Sequence, residues 1–316
     1  MDYEGHLRTI DELNEIIRRG DFPQQVMVDE NRHIERIVRI AERIAARVPL
    51  VRLVLVAGPS SAGKTTTAIR LCTRLNENGR EAMRLSTDDY FVDGELNPVD
   101  ENGQSDWETI EAVDRRRLVA DLEALLAGKP VCLRRFDFEK HAGYDDPAPT
   151  QLASGGTVVL EGIHALNPLL TEGVPEALKF RVYLNILTCL RPAPTEVFFA
   201  DDCRLIRRIV RDCANRGMSP SATLARWPSV EAGEQKWINP FRRLADAVFN
   251  TSLDYELAVL RPFALDLLRG VEKDDPFHGQ ASHLADVLSS VSEMPTVGVP
   301  GNSIIRETIG DSVLQY

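Results

Sequence analysis

One stretch near the start of the sequence constrains the fold more than any other. The apolar run LVRLVLVA at 50–57 is long enough and rich enough in β-branched residues for a buried strand. GPSSAGKTT at 58–66 follows it directly and matches the pattern G-x-x-x-x-G-K-[ST]. Residues 64–77 then carry apolar side chains at helical spacing, and Asn78-Gly79 supplies a stop signal. A strand, a glycine loop and a helix in this order predict a phosphate-binding loop, or P-loop.

The chemistry of a triphosphate explains the residue types in this loop. Backbone N–H groups of the loop and of the helix N-terminus converge on the anionic oxygens, and glycines let the backbone approach them closely. Lys64 is predicted to reach the β- and γ-phosphates, and the Thr65 hydroxyl to hold Mg²⁺. The predicted nucleotide-binding residues are Gly58, Pro59, Ser60, Ser61, Ala62, Gly63, Lys64, Thr65 and Thr66.

Apolar strand-like runs alternate with helical patterns over most of the chain. The strand candidates are 51–57, 81–86, 130–135, 157–161 and 180–184, and the helix candidates are 64–77, 111–127, 201–216 and 240–248. This alternation predicts an α/β P-loop NTPase fold of three layers, with a mostly parallel sheet flanked by helices. We divide the chain into an N-terminal helical extension (1–49), a P-loop domain (50–265) and a C-terminal helix with an irregular tail (266–316).

Composition limits the classes of partner. A formal net charge of −11 argues against a general nucleic-acid binder, which would carry a basic face. Five dispersed cysteines without CxxC pairing indicate reduced thiols and a cytoplasmic protein. No apolar run reaches membrane-spanning length, and the N-terminus is too polar for a signal peptide. We therefore expect small-molecule partners rather than nucleic acid or membrane, and a homo-oligomer is left open.

Carboxylates follow two of the predicted strands at the edge where open α/β sheets bind their ligands. Asp88 and Asp89 follow the run at 81–86, and either could take a proton from a hydroxyl acceptor during phosphoryl transfer. An acidic loop start is the alternative. Glu161 ends the run at 157–161, where it could hold Mg²⁺ or its water. A solvent-exposed strand end is the alternative there.

Arginines are concentrated in RLIRRIVRDCANRG at 204–217. Helical spacing places Arg204, Arg208 and Arg211 along one face, with Arg207 beside them. Such a face suits the developing negative charge of phosphoryl transfer. A solvated helix paired with neighbouring acidic residues is the alternative.

Taken together, these segments resemble the uridine kinase branch of the uridine kinase and phosphoribulokinase family of P-loop kinases. The resemblance covers about residues 50–260 and includes, in the family's order, GPSSAGKTT, STDDYF, DWETIEAVD, FDFEKH, VVLEGIHAL and RLIRRIVRDCANRG. It implies transfer of the γ-phosphate of ATP or GTP, with Mg²⁺, to the 5′-hydroxyl of uridine or cytidine. Two alternatives stay open. One is a kinase of this family that acts on another hydroxyl, such as a sugar phosphate or a pantothenate-like acceptor. The other is a non-catalytic nucleotide-binding regulator.

The resemblance also implies roles for single residues. Asp88 falls at the family's catalytic carboxylate, and Arg208, Arg211 and Arg216 fall on the arginine segment that closes over the phosphates. The implied catalytic residues are Asp88, Lys64, Arg208 and Arg211, and Arg216 is implied to bind the nucleotide. The implied acceptor contacts are Asp88, Trp107, Glu108, Phe136, His141 and Arg208, and the implied metal ligands are Thr65 and Glu161.

Several positions in the acceptor segments depart from the family pattern. Glu108 stands where an Asp usually grips the ribose hydroxyls, and Trp107 replaces a Phe. Phe136 stands where a Tyr is common, and Met218 replaces an Arg. Because apolar contacts discriminate less strongly than paired polar ones, we expect modest selectivity for the base.

Overall fold

The computed structural model describes residues 6–100, 103, 105–192 and 198–315. The helices of these residues are α1 (Ile10–Arg19), α2 (Phe22–Ala45), α3 (Lys64–Glu77), α4 (Arg115–Leu126), α5 (Ala200–Arg216), α6 (Pro220–Trp237), α7 (Glu256–Arg269), α8 (His278–Ser290) and α9 (Arg306–Ile309). The strands are β1 (Leu53–Ala57), β2 (Ala82–Ser86), β3 (Arg134–Asp137), β4 (Ala142–Asp145), β5 (Thr157–Glu161), β6 (Lys179–Asn185) and β7 (Ala247–Asn250). None of the helices among these residues is long and apolar enough to cross a membrane.

Five strands form the central sheet in the order β2-β5-β1-β6-β7, and all of its neighbouring pairs are parallel. The segments that follow β1, β2 and β5 therefore leave the sheet at the same edge. That edge carries the P-loop, Asp88 and Glu161. The parallel sheet thus brings together three segments that lie far apart in the sequence.

Helices cover both faces of the sheet, because the side chains of each strand alternate between the faces. Val54 and Val56 of β1 pack with α2 and α3 on one face. Leu53 and Leu55 pack with α4 on the other face. The three-layer α/β fold predicted from the sequence is confirmed.

A further apolar cluster joins the two ends of the chain to its middle. It includes Leu13 of α1, Ile206 of α5, Leu260 of α7, Leu284 of α8 and Ile305 beside α9. The predicted boundary between residues 265 and 266 falls inside α7. The division into three parts stays a prediction.

Some local predictions about elements differ from the structure, and some elements, α7 among them, were not predicted. The helix predicted at 240–248 is wrong, because a 3₁₀ turn at Asn239–Leu244 is followed by β7. The strand predicted at 130–135 begins later, as β3, and pairs antiparallel with β4 outside the central sheet. The 18-residue helix α6 was not predicted.

The segment NRHIERIVRIAERIAARV at 31–48 predicts a helix with an apolar stripe, and the stripe that the structure buries is narrower than this prediction. The predicted stripe consists of Ile34, Ile37, Val38, Ile40, Ile44 and Val48. Ile37, Ile40 and Ile44 are buried against the sheet, whereas Ile34 is 48% exposed and Val48 is 94% exposed. Val48 lies beyond the end of α2, which accounts for its exposure.

Candidate active site

The P-loop connects β1 to α3 and needs glycine at two positions. A Cβ on Gly58 would lie 2.4 Å from the carbonyl oxygen of Leu184. Gly63 is the N-cap of α3 and has φ 79°, ψ 35°, in the left-handed region that favours glycine. Lys64 begins the helix, is 9% exposed, and donates from Nζ to the carbonyl oxygen of Pro59 at 3.0 Å. The loop thus closes around its own lysine, next to the N-terminus of α3.

Thr65 and Glu161 come together beside the loop, as predicted for a metal site. Thr65 Oγ1 lies 3.3 Å from Glu161 Oε1, and Arg84 Nη1 lies 3.2 Å from the same oxygen. Glu161 is 2% exposed, so the alternative of a solvent-exposed strand end is wrong. Burial and the charge of Asp88 raise the pKa of Glu161 to about 7. A buried carboxylate of this kind is stabilised by a nearby cation.

A magnesium ion fits the chemistry of these two side chains, because it prefers oxygen ligands and keeps several waters. Over the ranges that the structure describes, no group of three or more His, Cys, Asp or Glu side chains could hold a metal alone. Phosphate oxygens and water would therefore have to complete the coordination shell.

The two adjacent aspartates after β2 have different surroundings. Asp89 is paired with Arg135, whose Nη1 lies 3.1 Å from Asp89 Oδ2. Asp88 is half-buried at the start of a 3₁₀ turn, and its Oδ1 accepts a hydrogen bond from Thr87 Oγ1 at 3.3 Å. The charge of Asp88 also contributes to the raised pKa of both Glu161 and Glu108. Asp88 therefore lies within electrostatic reach of both the predicted metal ligand and the predicted ribose contact.

Glu108 is partly exposed and lies within electrostatic range of Lys64, Asp88 and Arg208. Burial raises its pKa to about 7, and the charges of Arg208 and Lys64 oppose this shift. Helix α6 packs directly on this residue, since a Cβ on Gly233 would lie 2.4 Å from Glu108 Cβ. The approach of α6 is a feature of the site that sequence reasoning missed.

The three aromatic or imidazole residues predicted to contact the base are brought together. The Trp107 ring centroid lies 6.0 Å from that of Phe136 and 5.6 Å from that of His141. Phe91 and Phe138 extend the cluster, at 5.3 Å from Trp107 and 5.2 Å from Phe136 respectively. Phe136 is 7% exposed and Phe138 is 51% exposed, so Phe138 offers the more open ring face. We call these five residues the aromatic cluster.

The structure separates the arginines of α5 into two sets. Arg204 and Arg207 are buried and hold the P-loop from outside. Arg204 Nη1 donates to the carbonyl oxygen of Ser60 at 3.1 Å and to Glu234 Oε1 at 2.6 Å. Arg207 bonds to the carbonyl oxygen of Ser61 and pairs with Glu256. For this set the alternative of a solvated helix is wrong.

The second set gathers around Asp212, which is 0% exposed. Arg211 Nη2 lies 2.8 Å, Arg208 Nε 3.2 Å and Arg216 Nη1 3.6 Å from its carboxylate oxygens. Arg208 also donates from Nη1 to Ser60 Oγ at 2.8 Å. Three guanidinium groups around one carboxylate leave an excess of positive charge beside the loop. The resemblance implies that these three arginines meet the phosphates. Helical spacing placed Arg204 on the same face, but in the structure its guanidinium is taken up by the P-loop backbone and Glu234.

A P-loop at the edge of a parallel sheet, next to carboxylates and arginines, defines the class of P-loop phosphotransferases. Residues 53–258 match the model of the phosphoribulokinase/uridine kinase family. The chain therefore belongs to this family, and it is a kinase. Helices α1, α2 and α8 and the tail that carries α9 lie outside the matched residues.

Individual relatives are similar to this chain at modest identity. A uridine kinase of Lactobacillus helveticus is 28% identical over 205 residues, which cover 65% of this chain and 88% of the relative. A uridine kinase of Deinococcus deserti is 29% identical over 197 residues, which cover 61% of this chain and 84% of the relative. A solved structure described as a possible uridine kinase from Bacillus stearothermophilus is 21% identical, covers 68% of this chain and 97% of its own, and has a TM-score of 0.45. This score is too low to support an inference about fold or function.

Proposed function

We propose that the protein is a nucleoside kinase that transfers the γ-phosphate of ATP or GTP to the 5′-hydroxyl of uridine or cytidine. The observation that carries the proposal is that one helix contacts both sides of the site: Glu234 of α6 accepts from the backbone N–H of Ser60 in the P-loop at 3.3 Å, and the neighbouring Gly233 packs on Glu108. The electrostatics agree with this. Lys64 and Arg208 on the nucleotide side, and Asp88 between the two sides, all influence the pKa of Glu108 on the acceptor side. Donor and acceptor residues therefore share one cleft, as a direct transfer between two bound substrates requires.

Each residue has a role in that transfer. Asp88 accepts the proton of the 5′-hydroxyl while the hydroxyl oxygen forms a bond to the γ-phosphorus. The bond from the γ-phosphorus to the bridging oxygen breaks, and the nucleoside diphosphate leaves with that electron pair. Lys64, Arg208 and Arg211 stabilise the charge on the transferred group. Thr65 and Glu161 would hold Mg²⁺, which would supply positive charge to the phosphate oxygens.

The acceptor side combines one carboxylate with the aromatic cluster. Ionised Glu108 accepts hydrogen bonds from the vicinal 2′- and 3′-hydroxyls of a ribose. The aromatic cluster offers a stacking surface, and stacking tolerates every base. Among the predicted base contacts, His141 has ring nitrogens that can donate or accept at the polar edge of the base, whereas Trp107 can only donate. Uridine and cytidine are both accepted on this account, with modest discrimination against other bases.

A second candidate is a kinase of the same family with a different hydroxyl acceptor. The observation that favours it is the apolar character of the aromatic cluster around Phe136, which has no hydroxyl for the edge of a base. A sugar phosphate or a pantothenate-like alcohol would then be the acceptor.

The test is release of ADP or GDP from the purified protein with Mg²⁺ and ATP or GTP, over a panel of nucleosides, sugar phosphates and other alcohols. We expect turnover with uridine and cytidine, formation of the 5′-monophosphates, and loss of turnover in Lys64→Ala but not in the exposed control Lys129→Ala. Turnover with a non-nucleoside alone would favour the second candidate. Nucleotide binding without turnover on any acceptor would indicate a non-catalytic regulator.

A further inference from the structure

A segment near the C-terminus lies directly on the P-loop, outside the residues that match the family. We call residues 299–310 the C-terminal strap. Its Ile304 is 3% exposed and so close to the loop that a Cβ on Gly63 would lie 2.1 Å from Ile304 Cδ1. Its Glu307 accepts a hydrogen bond from Thr66, with Thr66 Oγ1 and Glu307 Oε2 2.9 Å apart. The strap thus contacts two residues of the GPSSAGKTT motif.

Specific hydrogen bonds hold the strap in this position. Ser303 Oγ bonds to Glu30 of α2, and Glu30 in turn accepts from Tyr255 at 2.8 Å and from Arg70 at 3.1 Å. Within the strap, Arg306 Nη2 donates to the carbonyl oxygen of Val299 at 2.8 Å. The strap is therefore a built part of the fold with a defined place on the loop.

The contact with Thr66 conflicts with nucleotide binding. Thr66 lies in the first turn of α3, where helix N–H groups and the helix dipole attract phosphate. The residue is 0% exposed, and its hydroxyl already donates to a carboxylate. Glu307 thus gives the Thr66 hydroxyl, in the first turn of α3, a carboxylate oxygen as its partner. A phosphate oxygen would be a partner of the same kind.

The strap could either support a bound nucleotide or exclude it, and the negative charge of Glu307 favours exclusion. Contact of Ile304 with Gly63 could stabilise the loop in either state. The carboxylate of Glu307, which is partly exposed and bonded to Thr66, would lie beside a bound phosphate as a second anion, and two neighbouring negative charges repel each other. Glu307 and the nucleotide therefore compete for the same end of the helix.

We propose that the C-terminal strap is an autoinhibitory element that competes with the nucleoside triphosphate for the P-loop and the first turn of α3. The proposal rests on the role of the P-loop as the nucleotide site, and it is independent of which acceptor is phosphorylated. Tight binding of nucleotide then requires Glu307 to leave Thr66.

The direct test is the affinity of the full chain for Mg²⁺·ADP, measured by calorimetry on wild type, Glu307→Gln and Glu293→Gln. Gln keeps the shape and removes the charge, and Glu293 is an exposed control in the same tail. We expect Glu307→Gln to bind about tenfold more tightly, a difference of about 1.4 kcal/mol, and Glu293→Gln to bind as wild type does. Unchanged or weaker binding by Glu307→Gln, or equal tightening in both variants, would overturn the proposal.

Hydrogen exchange on the wild-type protein supplies a second measurement, which requires no variant. We expect Mg²⁺·ADP to accelerate exchange of the amides of residues 303–309, because the strap leaves the loop. Slower or unchanged exchange would contradict displacement. ADP binding requires no acceptor, so the two proposals can fail separately. If only the strap proposal is wrong, the protein binds ADP without displacement of the strap. If only the nucleoside kinase proposal is wrong, the protein binds ADP but phosphorylates no nucleoside. A wild type that binds no ADP would overturn the strap proposal together with the nucleotide site.

Discussion

The proposed roles of Asp88 and Asp89 are distinguished by a single ion pair. Asp89 is paired with Arg135, whereas the charge of Asp88 acts on Glu108 and Glu161. We expect Asp88→Asn to lower kcat by about 10²- to 10⁴-fold, the usual contribution of a general base, with little change in KM for the nucleoside. Asp89→Asn should keep most of kcat, and steady-state kinetics on both variants measures the difference. An inactive Asp89→Asn beside an active Asp88→Asn would reverse the assignment.

The raised pKa of Glu108 predicts how the stability of the protein depends on pH. Its pKa rises from 4.5 in the unfolded chain to about 7, mainly because the group is buried. Between these values the folded protein binds more protons than the unfolded chain, so the free energy of unfolding falls as pH rises. Above about 7 the loss is complete. Glu108→Gln removes this loss because Gln does not titrate.

We therefore expect Glu108→Gln to have the same free energy of unfolding as wild type near pH 4.5, and a larger one above about pH 7. The gain at about pH 8 should be on the order of 2 kcal/mol, somewhat less than the full pKa shift because the side chain is partly exposed. Urea denaturation at about pH 5 and about pH 8 measures it. A difference between the two proteins that is the same at both pH values would contradict the assignment.

The sequence predicts residues within motifs better than residues that support them. Trp107, Phe136 and His141 were predicted from their segments, and the rings of Phe136 and His141 both lie close to that of Trp107. Phe138 stands in the same FDF segment and could have been found there. Glu234 could not, because its role depends on the approach of α6 to the loop, and that approach has no local sequence signal.

At the scale of elements, short apolar runs were the main source of error. Phe241, Leu244 and Val248 have helical spacing, which predicted a helix at 240–248. In β7 the burial alternates instead, since Ala247 and Phe249 are buried and Val248 is 51% exposed. A run of this length fits both the helical and the strand periodicity. Pairing with β6 makes it a strand.

Helix α6 was missed for a different reason. Pro228 and Gly233 interrupt its sequence, and both residues are poor helix formers. Its apolar stripe is short, consisting of Leu224, Trp227 and Val230. The turn that meets the P-loop and Glu108 carries Gly233 and Glu234 instead. Its helical state therefore depends on tertiary contacts more than on local pattern.

The connection between α6, α5 and the P-loop predicts a stability effect. Glu234 is 6% exposed and pairs with buried Arg204, and it also accepts from the backbone N–H of Ser60 at 3.3 Å. Glu234→Ala leaves the buried guanidinium with Asp201 as its remaining acidic partner, which is 54% exposed. We expect a loss of about 3 kcal/mol in the free energy of unfolding.

Urea denaturation checks this expectation, with Gln235→Ala as the control at the exposed neighbouring position on α6. The control should change stability by less than about 0.5 kcal/mol. Equal stability of Glu234→Ala and wild type would show that the pair does not hold α6 to the loop.

At the scale of the whole molecule, the N-terminal helix α2 forms part of the layer that covers one face of the sheet. Ile37 is 5% exposed in the apolar cluster of that face, whereas Ile34, one turn earlier, is 48% exposed. A buried, unpaired carboxylate is strongly unfavourable, so we expect Ile37→Asp to destabilise the protein by about 3 kcal/mol or more. Ile34→Asp should change stability by about 0.5 kcal/mol or less.

Thermal and urea unfolding of the two variants test whether the N-terminal residues are an integral layer of the kinase. Similar small effects of both substitutions would mean that α2 can leave the sheet without loss of the core. The same reasoning explains why the overall architecture was predictable. Alternating strands and helices predict a parallel sheet with helices on both faces. This prediction does not depend on which helices cover each face.

The central claim is that one cleft holds a nucleotide and a ribonucleoside, with Glu108 bonded to the ribose. It is tested most directly by the ratio of kcat/KM for uridine to kcat/KM for 2′-deoxyuridine, in wild type and in Glu108→Ala. A carboxylate that loses one of its two hydroxyl donors disfavours the deoxynucleoside, so we expect a wild-type ratio of about tenfold or more that falls close to one in the variant. A ratio that Glu108→Ala leaves unchanged, or a protein that phosphorylates neither nucleoside, would contradict the account.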